Sequence, residues 1–119
     1  MKLNIPHNEK NNKYLIMLNL FSFISPYSLL NNREKQVLSE LFMYDYEFRN
    51  FNEDKRNRFI FDYDTRVEIA DKLNISTDNV YNIMASLKRK GFLKSKGLVR
   101  DKVLPNTEQI IINFIDGKN

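Results

Sequence analysis

The sequence predicts a mainly α-helical protein with a small β-hairpin. Three observations carry this. Two apolar helical patterns meet at a short bend at Asn74-Ile75-Ser76, and a capped amphipathic segment starts at Asn31. Short segments of strand-forming residues then follow the last helical pattern. At 119 residues, 42% hydrophobic and 29% charged, the chain fits one ordinary globular unit with one modest core.

Residues 1–12 are polar, with Pro6 and four Asn, and read as an arm. Residues 14–24 are nearly continuously apolar and end at Ser25-Pro26. At this length a strand and a short helix both fit, and the segment either completes the chain's own core or docks on another subunit. It is too short for a membrane span of about 20 residues. Glu9 in the basic stretch before it, and Pro26-Tyr27 after it, argue against a cleaved secretion signal. The division expected is residues 1–30 as arm and apolar docking segment, and 31–116 as the folded domain.

Asn31 and Glu34 form a capping-box pair, and Val37, Leu38, Leu41, Phe42 and Phe48 mark the inner face of a helix to about Phe48. Residues 49–58 are charged and aperiodic and read as a loop. Phe59, Phe61 and Tyr63 alternate with Ile60 and Asp62, which predicts a short strand. Thr65-Arg66-Val67-Glu68 reads as a capping box opening a second helix, with Ile69, Ala70 and Leu73 on its inner face.

After the bend, Ser76 caps a third helix and Asp78 suits its positive end. Ile75 and Val80 have the spacing of a hydrophobic staple. Val80, Ile83, Met84 and Leu87 form the apolar stripe, and Gly91 stops the helix after Lys88-Arg89-Lys90. Pro105-Asn106-Thr107-Glu108 is a turn signal, so Val103-Leu104 and residues 110–115 are expected to pair as the hairpin.

The stretch Arg66-Val67-Glu68-Ile69-Ala70-Asp71-Lys72-Leu73-Asn74-Ile75-Ser76, with Val80, Leu87 and Lys90-Gly91-Phe92-Leu93, resembles the winged helix-turn-helix DNA-binding superfamily. The resemblance is close over residues 66–93 and looser over 31–115. It implies that the 76–90 helix enters the major groove of duplex DNA and that the hairpin is a wing. The residues opposite the core stripe are Asp78, Asn82, Ala85 and Arg89, flanked by Tyr81 and Ser86. Asn82 suits an adenine edge, Arg89 a guanine or phosphate, and Tyr81 and Ser86 phosphates. Lys88, Lys90, Lys94, Lys96, Arg100 and Lys102 form a candidate phosphate-contacting stripe opposed only by Asp101.

The function expected first is therefore a cytoplasmic transcriptional regulator, dimeric, with duplex DNA as partner. A net charge of +4 and a pI near 9.3 suit a polyanion. Asp78 at the reading tip, Glu68 and Asp71 on the second helix, and Glu108 at the expected wing tip run against it. A second function stays open. Asn makes up roughly a seventh of the chain, well above ordinary usage. That bias, the small size and the 14–24 segment resemble small winged-helix proteins of tailed phages. Some phage proteins of this size build the virion, for example its head-to-tail neck. Other virion proteins would then be the partners.

Enzyme chemistry finds little footing. His7 stands alone in the polar arm, and the chain has no Cys. Gly91, Gly97 and Gly117 form no phosphate-cradling loop. Glu53, Asp54, Asp62 and Asp64 could in principle hold Mg²⁺, but Asp62 is expected to face solvent on the strand and Asp64 to help cap the next helix. Neither a cofactor nor a metal is expected. The aromatics Tyr44, Tyr46, Phe48, Phe51, Phe59 and Phe61 read as core in preference to base-stacking platforms.

Overall fold

The computed structural model describes residues 5–104, with side chains from Lys13 onward. Five helices run in the order α1 (Ile5–Leu20), α2 (Asn32–Glu47), α3 (Glu53–Ile60), α4 (Tyr63–Leu73) and α5 (Thr77–Arg89). A two-stranded antiparallel sheet follows, β1 (Leu93–Lys94) and β2 (Gly97–Leu98), in which Leu93 faces Leu98 and Lys94 faces Gly97. Short 3-10 turns occupy Tyr27–Leu29 and Arg100–Lys102.

The central element is α2. Asn31 Oδ1 accepts from the Glu34 N–H at 2.8 Å, and Glu34 Oε1 accepts from the Asn31 N–H at 2.9 Å, so the expected capping box is present. Val37, Leu38, Leu41 and Phe42 are buried. Helices α1 and α5 both pack on α2, and α4 packs on α5 and α2 around the same core.

The apolar run after the arm is helical. Tyr14, Met17 and Leu18 are buried at i, i+3, i+4 spacing, and Tyr14 meets Phe42 edge-on at 5.9 Å between ring centroids. The segment thus completes the chain's own core. Helix α1 also extends back to Ile5, through residues expected as an arm; Pro6 falls in its first turn, where a missing N–H costs no hydrogen bond.

Of the expected loop, only residues 49–52 are non-helical, residues 53–58 being helical, and residues 59–63 are not a strand. Asn52 Oδ1 accepts from the Lys55 N–H at 2.8 Å, Glu53 and Asp54 sit at the positive end, and α3 runs on to Ile60. Its buried residues are Asn57 and Ile60, three apart, so one polar and one apolar side chain hold it down and no apolar stripe announces it. The alternation at Phe59, Phe61 and Tyr63 misleads because Ile60 is the fully buried residue, while Tyr63 is exposed. Phe59 instead closes an aromatic cluster with Phe48 and Phe51, at 5.3 and 5.4 Å between centroids. Phe51, Phe59 and Tyr46 remain partly exposed, whereas Tyr44, Phe48 and Phe61 pack on the core.

Helix α4 begins two residues before the expected box. Its cap is Asp62, whose Oδ1 accepts from the Thr65 N–H at 2.9 Å. Thr65 donates its hydroxyl to the Phe59 carbonyl at 2.7 Å, and Glu68 accepts from the Tyr44 hydroxyl at 2.6 Å, so neither caps the helix. Asp64 lies inside the first turn.

The bend stands as expected. Asn74 adopts φ 58°, ψ 48°, the left-handed conformation that ends a helix. The Ile75 N–H donates to the Ala70 carbonyl at 3.0 Å, and Ser76 Oγ accepts from the Asn79 N–H at 3.0 Å to start α5. Ile69, Ala70, Val80 and Leu87 are buried, with Leu73, Ile75, Ile83 and Met84 packed around them. Helix α5 closes the same way: Gly91 has φ +90°, its N–H reaches the Lys88 carbonyl, and the Phe92 N–H reaches that of Leu87.

The hairpin lies earlier than expected. It is formed at residues 93–98 with Ser95-Lys96 at its tip, while Val103 and Leu104 are not in a strand. Residues 110–115 and the turn at Pro105–Glu108 fall outside the described residues. Within the described residues, no helix is long and apolar enough to cross a membrane.

Candidate nucleic-acid interface

Helix α5 presents different faces to different neighbours. Val80 and Leu87 point into the core. On one flank, Ser86 donates its hydroxyl to Glu34 Oε2, and Lys90 Nζ lies 2.7 Å from Glu34 Oε1. On the far side Asp78, Asn82 and Arg89 are exposed and Ala85 is partly so. On the other flank Tyr81, Met84, Ala85 and Lys88 form one wall of a groove of about 770 Å³.

The opposite wall of the groove comes from α3 and the hairpin, through Asp54, Asn57, Arg58 and the 93–96 turn, and Arg66 of α4 lies at its edge. Arg58, Arg66, Lys88, Lys94 and Lys96 therefore surround it, against the single acid Asp54. At such spacing these cations produce a positive potential in a concave surface, where low-dielectric walls focus the field. Lys94 also has Glu53 Oε2 at 3.7 Å, an exposed pairing that leaves it largely hydrated. The Arg66 guanidinium sits over two rings, 5.6 Å from the Tyr63 centroid and 5.8 Å from that of Tyr81. Cation–π contacts of this kind favour keeping the charged group beside the rings.

The sequence-derived candidates separate into three groups. Tyr81, Lys88, Lys94 and Lys96 line the groove. Asn82 and Arg89 lie on the exposed ridge beside it. Ser86, Lys90 and Arg100 are paired with acidic groups of the fold, Arg100 while remaining exposed. Arg100 makes a two-pronged pair with Asp45, at 2.8 and 3.0 Å, on the side where Tyr14 and Leu104 also lie. Asp45 raises the Arg100 pKa by accepting both bonds. Lys102 is half-buried and its carbonyl accepts from the Tyr27 hydroxyl at 3.1 Å.

Glu34 anchors the inner flank of α5. Burial pushes its carboxyl upward, but bonds from Lys90, Ser86 and the Asn31 N–H outweigh that and hold it below its ordinary value. It is the ionised acceptor that commits Ser86 and Lys90 to the fold.

Sequence reasoning missed Arg58 and Arg66 as members of the basic surface. Arg58 was hidden by the loop reading of residues 49–58, since only a helix there turns it toward α5. A basic-residue tally limited to the 76–102 segment also passes over Arg66, although it lies within the stretch that resembles the superfamily. The turn Lys94-Ser95-Lys96-Gly97 was the available signal for a basic hairpin tip.

No family model, no curated protein and no solved structure matches this chain.

Proposed function

We propose that this protein is a non-enzymatic winged-helix protein that binds duplex DNA, with α5 in the major groove and the 93–98 hairpin as its wing. The observation that carries this reading is the convergence of Arg58, Arg66, Lys88, Lys94 and Lys96, from four separate elements, beside the exposed ridge of α5. Neutralising phosphates supplies affinity and makes it fall steeply with salt; Asn82 and Arg89 on the ridge supply base contacts. A basic hairpin tip at Lys96 also supplies the positive charge that the wing tip expected from sequence, Asn106-Thr107-Glu108, lacks. A regulator acting as a dimer is the corresponding biological role. The test is a gel-shift salt series with genomic fragments. Binding that weakens steeply with salt, loses sequence preference in Asn82→Ala and weakens in Arg89→Ala supports the reading. No binding to duplex DNA at low salt defeats it.

A second reading, a virion adaptor using the same domain for protein contacts, draws on a different observation. Ile16, Leu20, Phe23, Ile24 and Leu29 are all exposed on α1 and in the segment that follows it, apolar surface of the kind an interface uses. A stable ring or complex with partner proteins, and no operator, would favour it.

A further inference from the structure

The groove has a chemistry that duplex phosphates alone do not require. Its floor is apolar, from Phe61, Met84, Ala85 and Leu93, and its rim is cationic. At the rim stands Tyr81, 61% exposed, with the Arg66 guanidinium over its ring. In the wall is Asn57, 8% exposed, whose Oδ1 has no hydrogen-bond partner among the described residues. Here the cations surround a recess of about 770 Å³ with an aromatic edge. That volume lies within the range of sites that enclose a small organic group.

We infer that the groove between α5, α3 and the hairpin receives an unpaired nucleotide of a DNA strand that continues from the bound duplex. The base lies on the apolar floor and stacks on Tyr81. Its 5′ and 3′ phosphates lie against Arg66, Lys88 and Lys96. Stacking on an aromatic face tolerates every base, and the cationic rim tracks the backbone, which is how single strands are held without sequence preference. Asn57 adds a polar side chain to the groove wall. The preferred ligand is thus a junction between duplex and single strand. This inference rests on the duplex-binding reading, since the ridge of α5 would hold the paired part.

The experiment measures affinity of the full chain for a blunt duplex, the same duplex with a five-nucleotide dT overhang of either polarity, and the isolated dT strand, all at one salt concentration. The expected result is about tenfold tighter binding of one overhang substrate than of the blunt duplex. In Tyr81→Ala the ratio of overhang to blunt affinity falls to about one, whereas Tyr81→Phe, which keeps the ring and loses the hydroxyl, keeps the ratio. A 2-aminopurine at the first unpaired position changes its fluorescence on binding wild type and Tyr81→Phe, and not on binding Tyr81→Ala. Blunt duplex bound as tightly as both overhang substrates overturns the inference and leaves duplex binding intact. A ratio unchanged in Tyr81→Ala also overturns it. An isolated strand bound as well as the overhang substrate, with the blunt duplex unbound, defeats the duplex reading and keeps the groove as a single-strand site. No binding to any of the substrates overturns both.

Discussion

Lys90 Nζ lies 2.7 Å from Glu34 Oε1 and 2.8 Å from the Leu29 carbonyl oxygen, so one ammonium ties the end of α5 to the start of α2. The carboxylate it meets is 3% exposed and also takes bonds from Ser86 and the Asn31 N–H. Removing that acceptor takes a partner from three donors at once, of which Lys90 keeps the Leu29 carbonyl. Glu34→Ala is expected to lower stability by about 2–3 kcal/mol, and Lys90→Ala by less, because the lysine side chain is partly open to water. Urea unfolding of the two variants checks the order.

Two glutamates on α2 make opposite contributions as pH falls. Glu34 titrates below its ordinary value of 4.5 in the folded state, so the stability it contributes is complete above that value. It is lost as pH drops through the lowered folded value. Glu40 is raised, because burial outweighs the Lys72 ammonium at 3.4 Å, and the nearby Glu47 adds to the rise. Ionised Glu40 therefore disfavours folding above its raised folded value, and that penalty disappears as pH falls past 4.5. Glu40→Gln should raise the melting temperature at pH 7 and leave it nearly unchanged at pH 4. Equal gains at both pH values would contradict this account.

The bend between α4 and α5 depends on the left-handed Asn74. Asn and Gly tolerate this conformation, whereas a β-branched side chain meets the following carbonyl. Asn74→Gly should change stability by a few tenths of a kcal/mol, and Asn74→Val should cost about 1–2 kcal/mol. Thermal melts of the pair, with helix content followed by circular dichroism, decide it.

The hairpin is fastened to α3 by close packing. A Cβ on Gly97 would stand 2.7 Å from Asn57 Nδ2, and Asn57 is buried. Gly97→Ala is expected to cost about 1–3 kcal/mol. In an Asn57→Ser background, where the amide is gone, the same substitution should cost measurably less; a double-mutant cycle with no coupling would show that the two do not meet.

The basic side chains are predicted to differ in what they do. Lys88→Ala and Arg66→Ala should each reduce the salt slope of duplex binding by about one, as the loss of one phosphate contact does. Arg100→Ala should change the slope less than either and should instead cost about 1 kcal/mol of stability, since its guanidinium is held by Asp45. Salt titrations alongside urea melts separate the two effects.

The local sequence by itself determined the elements that carry their own caps and stripes. Asn31 with Glu34, the bend at Asn74–Ser76, the α5 stripe and the Gly91 stop were all legible, because each depends on residues three or four apart in the chain. Helix α3 was not, because it buries Asn57 and Ile60 against groups far away in sequence and shows no apolar period. The α4 start was misplaced for a related reason: Thr65 and Glu68 spend their side chains on Phe59 and Tyr44, leaving Asp62 to cap. Only the tertiary structure decided which cations share a surface. Placing Arg58 and Arg66 beside Lys88 requires three helices to meet, and pairing Arg100 and Lys90 with the fold requires Asp45 and Glu34 to be close by. Charge along a chain is a one-dimensional pattern, whereas a binding surface depends on which side of the packed core each charge is left.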